Sequence, residues 1–156
     1  MYEKLLIRFD SFANMIRISE KDIAIIEFLM KDARMPYTEI ARRLGVTEAA
    51  IRKRVKKLEE EGIIKGYRAV VDAKRIGYKI VAEIGFDVTP ENYVKVIETV
   101  KNMPEVKRMK STTGDHMIML ECWFHDSDEM VQFVRRLENI EGVQRVCPAI
   151  LVEELK

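Results

Sequence analysis

The stretch YTEIARRLGVTEAAIRKRVKKLEEEG, Tyr37–Gly62, decides how the rest of the chain is read. Within Tyr37–Leu44 the apolar residues Ile40, Ala41 and Leu44 are spaced by one, three and four, which is one face of a helix. Gly45 follows, and without a Cβ it admits the left-handed backbone that ends a helix. Thr47 suits the N-cap of a second helix, because its hydroxyl can accept from a first-turn N–H, and Glu48 complements the dipole. In that helix Ile51, Val55 and Leu58 recur at i, i+4 and i+7 as a buried stripe. At about 100° per residue, the opposite face shows Ala49, Arg52, Lys53, Lys56 and Lys57, with Arg54 on the flank. Small Ala41 lets the two helices approach, and Val46 fills the corner between them. The stretch reads as a helix-turn-helix whose second helix is basic on its outer side.

A basic helix in this setting points to the major groove of double-stranded DNA. Thr47, Glu48 and Ala49 would lie near base edges, and Arg52, Lys53, Lys56 and Lys57, with Arg42 and Arg43 of the preceding helix, would meet phosphates. From Arg42 to Lys57 there are seven basic residues and one acidic, Glu48. The competing reading is a solvated face laced with i,i+4 ion pairs. It needs acidic partners, and none follow until Glu59, Glu60 and Glu61 at the far end.

The net charge of the 156-residue chain is only +1, but its distribution is uneven. Residues 1–18 carry +1, residues 19–77 carry +4 and residues 78–156 carry −4. A cationic front and an anionic back imply that only the front touches nucleic acid. Cys122 and Cys147 lie in apolar, strand-like runs without CxxC spacing, and read as buried reduced thiols of a cytoplasmic protein. The preamble, residues 1–18, is a poor signal peptide because Lys4, Arg8, Asp10 and Arg17 interrupt each apolar run. An extra helix, a strand added at a subunit interface and an unstructured arm all remain open for it. No stretch reaches the roughly 18 apolar residues that a membrane span requires.

Ser19 opens SEKD, a capping box with Asp22 in place of the usual Glu or Gln. Ile23, Ile26, Met30 and Ala33, with Leu29 beside them, predict a supporting helix over Glu20–Ala33, stopped by Met35-Pro36. After Gly62 the period changes toward 2. Ile63, Ile64, Tyr67, Ala69 and Val71 predict one or two short strands, the place of a wing whose Lys65 and Arg68 would either reach phosphate or stay solvated. Residues 19–72 thus form the DNA-binding domain. The polar DAKRIGY run places a hinge at 73–78.

Residues 79–156 contain an internal repeat. A shift of 37 positions carries Tyr93, Val94, Ile97, Val100, Met103, Val106 and Met109 onto Met130, Val131, Val134, Leu137, Ile140, Val143 and Val146, and Phe86 onto Trp123. Each unit reads strand–helix–strand: Lys79–Val88, Glu91–Asn102 and Val106–Thr112, then His116–His125, Ser127–Glu138 and Val143–Glu153. Thr89-Pro90 and Asp126 are the expected helix caps. The fold class is therefore α+β: a winged helix-turn-helix followed by a ferredoxin-like βαββαβ domain with one face of its sheet uncovered. Ile84 and Phe86 against Gly85, and Ile118 and Leu120 against Met117, Met119 and Cys122, imply strands apolar on both faces. That predicts a homodimer through the open face.

The capped first helix, the run ARRLGVT, the basic helix ending LEEEGIIKGY and the βαββαβ pattern together resemble the Lrp/AsnC, or feast/famine, regulators. The resemblance covers about residues 19–156, and both modules and their order match. It implies transcription regulators that are dimers, often assembled into octamers, with small effectors, usually amino acids, bound between the sheet domains. A dimer predicts two half-sites about 34 Å apart or a multiple of that. The resemblance also places the effector site at the loop SerThrThrGlyAspHisMet, with Ser111, Thr112, Thr113, Gly114, Asp115 and His116, and at the last strand around Cys147 and Pro148. Gly114 gives close backbone approach, the hydroxyls offer hydrogen bonds, and Asp115 suits an α-ammonium group. An ordinary hairpin would use Gly-Asp in the same way. Many family members read Gly-x-x-Asp here, whereas this chain has Met117 at the last position.

The two histidines and two cysteines lack metal-ligand spacing, so no metal and no cofactor is expected. There is no nucleophile elbow and no glycine-rich phosphate loop. Two rival functions remain at this level. One is a tetrapyrrole decarboxylase on the same scaffold, opposed by the intact basic helix and the scarcity of histidine. The other is a metabolite-sensing module without DNA affinity.

Overall fold

The computed structural model describes residues 18–153, so all but the last residue of the preamble lies outside the described part. The chain divides into two compact units between Val70 and Val71. In the first, helix α1 spans Glu20–Lys31, α2 Tyr37–Leu44 and α3 Glu48–Glu60. Ser19 caps α1 reciprocally with Asp22: the Asp22 N–H donates to Ser19 Oγ at 3.2 Å, and the Ser19 N–H to Asp22 Oδ2 at 3.1 Å. Gly45 ends α2 in the left-handed region at φ 63°, as the turn demands. Thr47 Oγ1 then accepts from the Ala50 N–H at 3.3 Å. Ile51, Val55 and Leu58 are buried against Ile25, Leu29, Ile40 and Ala41, with Val46 packed at the edge.

The supporting helix differs from its expected form in two ways. It stops at Lys31, because Asp32 turns extended and its carboxylate accepts the Arg34 N–H at 2.8 Å. Its buried stripe is Ile25 and Leu29, flanked by Ile26 and Phe28, while Ile23 and Met30 are 48% and 81% exposed. The run IAIIEFLM is apolar nearly all round, so period alone supports more than one stripe, and packing by α2 and α3 chooses between them. The strands expected within Ile63–Val71 do not form in the single chain. The described part of this unit holds no strand, and an extended segment alone there has no partner for its backbone groups. Ile63 and Ile64 instead lean on the helical core.

In the second unit Asp72 accepts the N–H groups of Lys74 and Arg75, closing a 3-10 turn at Lys74–Ile76. Strand β1 is Ile80–Val88, helix α4 Tyr93–Val100, β2 Val106–Ser111, β3 Ile118–Phe124, α5 Ser127–Glu138 and β4 Val143–Ile150. The sheet order is β2-β3-β1-β4 and every pair is antiparallel, the ferredoxin-like arrangement. Asp126 caps α5 by accepting the Glu129 N–H at 2.9 Å. Thr89 makes no such bond; Pro90–Asn92 forms a 3-10 turn, and the α-helix begins only at Tyr93.

Ala82, Ile84, Phe86 and Val88 of β1 and Ile118, Leu120, Cys122 and Phe124 of β3 share one core with Val96, Val100, Phe133 and Leu137 of the helices. The 37-residue repeat holds through both helices, where Val100 and Leu137 are both buried. It slips in the preceding strands, because Phe86 faces the helices and Trp123 does not. Cys122 is a buried thiol as expected, but it faces the helices together with Ile118 and Leu120, against which it had been set; Cys147 is exposed where a buried thiol was expected. The other face carries Val81, Glu83, Gly85 and Asp87 beside Met119, Glu121 and Trp123, with Glu83 directly opposite Glu121. That face is mixed in polarity; it is not the apolar surface the alternation suggested.

Candidate DNA interface and ligand site

On α3, Arg52, Lys53, Lys56 and Lys57 are exposed together with Ala49, and Glu48 is half-exposed beside them. Glu48, Ala49, Arg52, Lys53 and Lys56 line one shallow hollow of about 500 Å³ on the outer face of the helix. The buried stripe on the opposite side fixes this orientation. A further restraint comes from Arg54, whose Nη1 donates to Asp22 Oδ1 at 2.7 Å and to Ser19 Oγ at 3.1 Å, tying α3 to the capped start of α1. Burial alone would raise the Asp22 carboxyl, but the hydrogen bonds from Ser19 and Arg54 outweigh it and hold the group below its usual range.

The expectation that these cations lack acidic partners is corrected. Glu39, three residues ahead of Arg42, accepts from Arg42 at 2.7 Å and from Arg43 at 2.7 Å. Those hydrogen bonds hold the Glu39 carboxyl at about 2. Arg52 pairs with Glu48 at 2.6 Å, Lys56 with Glu60 at 3.5 Å and Lys57 with Glu61 at 3.6 Å. Lys53 has no ion pair among the described residues. Glu39 precedes the Arg42–Lys57 stretch, and Glu60 and Glu61 follow it. The pairs of Arg42, Arg43, Lys56 and Lys57 are exposed, weak and salt-sensitive, so a phosphate can replace each of their carboxylates. Two aromatic contacts were not read from the sequence: Arg52 lies over the Tyr37 ring, 5.5 Å from its centroid, and Arg43 over Phe28 at 5.4 Å.

In the sheet unit, Thr112–Met117 connects β2 to β3. Ser111 Oγ accepts from the Tyr93 hydroxyl at 3.2 Å, and Thr112 Oγ1 donates to the His116 carbonyl. Those two hydroxyls are therefore engaged within the fold, whereas Thr113, Gly114 and Asp115 are exposed. The His116 side chain is only 10% exposed. It covers Gly85, where an added Cβ would lie 2.3 Å from His116 Cδ2. Cys147 is the register partner of Gly85, so it shares the uncovered face of β1 with His116, whereas Pro148, the partner of core-facing Ile84, falls on the other side of the sheet.

Two further residues complete this cluster. Asp87 Oδ1 accepts the Met117 N–H at 2.9 Å, so β1 supplies a carboxylate to the loop position where Met117 stands in place of Asp. Arg145, at φ 48°, reaches Asp87 and Asp115, both at 3.2 Å. The hydrogen bond to Asp115 and the charge of Asp87 hold the Arg145 guanidinium above its ordinary range. His116 Nδ1 is buried without a hydrogen-bond partner and lies 3.8 Å from Asp87 Oδ2, while its Nε2 lies 3.6 Å from Asp115 Oδ2. Asp87 and Arg145 carry no local motif and were missed. Only strand pairing brings them to the loop.

A basic helix-turn-helix followed by a ferredoxin-like domain with a charged loop cluster defines the class: a DNA-binding regulator with a separate ligand-binding domain. Residues 18–65 match the winged helix-turn-helix DNA-binding family, and residues 81–156 match the Lrp/AsnC ligand binding domain. The HTH-type transcriptional regulator LrpA of Pyrococcus horikoshii is 45% identical over 140 residues, covering 89% of this chain and 99% of that protein. LrpA1 of Halobacterium salinarum is 35% identical over 133 residues, covering 85% of this chain and 94% of the relative. Among solved structures, E. coli AsnC superposes with a TM-score of 0.75 at 28% identity, covering 89% of this chain and 95% of AsnC. The chain belongs to the Lrp/AsnC family of transcriptional regulators. Its relatives are regulators and not enzymes, which sets aside the decarboxylase reading.

Proposed function

We propose that α3 lies in the major groove and makes the DNA contacts through Thr47, Glu48, Ala49, Arg52, Lys53, Lys56 and Lys57, with Arg42 and Arg43 of α2 on the flanking backbone. The observation that carries this reading is the outward hollow of α3, where exposed cations stand on a helix whose other side is fully buried. Phosphate contacts of this kind release counterions, so affinity falls steeply with salt. In a mobility-shift titration of the full chain on genomic fragments, Lys53→Ala weakens binding and reduces the salt slope by about 1. Binding indifferent to both the substitution and the salt would refute the assignment.

The ligand site belongs at this end of the sheet, where Thr113, Gly114, Asp115 and His116 of the loop lie toward Cys147, with Pro148 next to it on β4 and Ser111 and Thr112 at the start of the loop. Asp115 and Arg145 present one anion and one cation 3.2 Å apart, a pair suited to a small zwitterion such as an amino acid. A panel of amino acids screened by thermal shift, with Arg145→Ala as control, tests this. A shift that Arg145→Ala leaves unchanged argues against it. The protein acts in the cytoplasm as a homodimer or a multiple of one, built through the open sheet face, where Arg108 and Lys110 of β2 flank the opposed Glu83 and Glu121. Light scattering on the charge-reversed Glu83→Lys variant tests that interface: the wild type is dimeric or larger and the variant dissociates.

A further inference from the structure

The cations on the outer face of α3 are not equivalent, and the difference bears on which base pair the protein reads. Lys53 is unpaired among the described residues, and Lys56 and Lys57 reach their carboxylates only at 3.5 and 3.6 Å. A lysine ammonium is a mobile point charge that suits a phosphate. Arg52 is held differently. Its Nη2 donates to Glu48 Oε1 at 2.6 Å, and its guanidinium carbon lies over the Tyr37 ring at 5.5 Å. A planar fork constrained by a carboxylate and an aromatic face is preorganised. It still has donors to spare, because a guanidinium carries five N–H groups.

Glu48 is the odd member of the set. A carboxylate in the first turn of a groove-entering helix is repelled by phosphates and lowers affinity for DNA in general. It is favourable where it accepts from the N4 amino group of cytosine, as an arginine is favourable where it donates to O6 and N7 of guanine. Glu48 and Arg52 are one helical turn apart, and both border the same hollow with Ala49.

We propose that Arg52, positioned by Tyr37 and Glu48, is the base-reading cation of α3 and selects guanine in a G·C pair, while Lys53, Lys56 and Lys57 contact only phosphate. This rests on the placement of α3 in the groove. Glu48 serves as the discriminating partner: it accepts from the paired or neighbouring cytosine and repels the acceptor edges of other bases. Tyr37 is a positioning residue, acting through Arg52.

The test is selection of double-stranded sites from a randomised DNA library by the full chain, followed by affinities for the enriched site and its single-base variants. The wild type enriches an invariant G·C pair in each half-site and prefers it by roughly 5- to 150-fold. Arg52→Ala binds all four variants at that pair within about two-fold of one another, as does Arg52→Lys, which keeps the charge and loses the fork. Lys53→Ala weakens all four alike and keeps the preference. Glu48→Ala raises affinity for unrelated DNA while lowering discrimination. Because the Arg52 side chain is 66% exposed, unchanged thermal unfolding is expected and excludes misfolding as the cause. If Arg52→Ala keeps the wild-type preference at every position, the proposal is wrong though α3 still binds DNA. If the wild type binds no duplex at all, the groove placement fails with it.

Discussion

Replacing Gly85 by alanine perturbs a place where backbone and the little-exposed His116 imidazole meet without a side chain between them. A Cβ there would lie 2.3 Å from His116 Cδ2, 2.7 Å from its Cγ and 3.1 Å from Met119 Sδ. Carbon atoms do not approach so closely, so the ring has to leave. It is not the loose end of a flexible chain: Cγ is its root, and Asp87 and Asp115 flank it at 3.8 and 3.6 Å. Overpacking of this kind costs about 1–3 kcal/mol. With His116 cut back to alanine only the Met119 Sδ contact at 3.1 Å is left, which that flexible side chain relieves by a small shift, so most of the cost disappears. The difference between the two backgrounds is a coupling of about 1–3 kcal/mol. Urea unfolding of the four proteins in the Gly85→Ala, His116→Ala cycle measures it. Trp123 is the sole tryptophan and sits on β3, so its fluorescence follows the sheet unit specifically. If Gly85→Ala costs as much without His116 as with it, the imidazole does not occupy the notch and the proposed ligand cluster is misdrawn.

Four other outcomes follow from the same structure. Ile51→Ala empties a fully buried position under α3, costs about 2–5 kcal/mol in thermal or urea unfolding, and weakens DNA binding in parallel. Glu39→Gln frees Arg42 and Arg43, so affinity for unrelated DNA at low salt rises in a mobility-shift assay while the melting temperature hardly moves. The Asp22 carboxyl is lowered in the folded state, so its contribution is present above the unfolded value of 3.8 and lost as pH falls through the folded one. Acid titration of helical circular dichroism should therefore be shallower in Asp22→Asn than in the wild type, and identical curves would remove that linkage. Burial pushes the Cys122 thiol up to about 12, so a thiol reagent at pH 8 labels exposed Cys147 and spares Cys122 until denaturant is added, as mass spectrometry of the two peptides would report.

Local chemistry made the helix-turn-helix legible in the sequence. Gly45 has to be left-handed, Thr47 has to cap, and only one face of α3 is apolar, so the outward residues could be read from period alone. The βαββαβ order was legible because the helices repeat, with Val94 and Val131 exposed and Val96 and Phe133 buried at matching places. Where the pattern was degenerate, sequence reading went astray. Ile23 and Ile25 are equally apolar, and only contact with α2 and α3 decides which is buried. A strand shifted by one residue swaps its faces, which is how Phe86 and Trp123 came to be matched although they point oppositely.

What the chain determined by itself was periodicity, capping and the sign of the charge on each half, because these depend on neighbours within one or two turns. Tertiary structure alone decided the partners of those charges across distance. Asp87 meets Met117 and Arg145 meets Asp115, each pair 30 residues apart in sequence, because antiparallel pairing folds their strands together. The same holds for Arg54, which local spacing put on a solvent flank and which packing bound to Asp22, 32 residues away. Contacts of that separation leave no local trace, since the register that creates them is chosen by the buried face of the whole sheet or bundle.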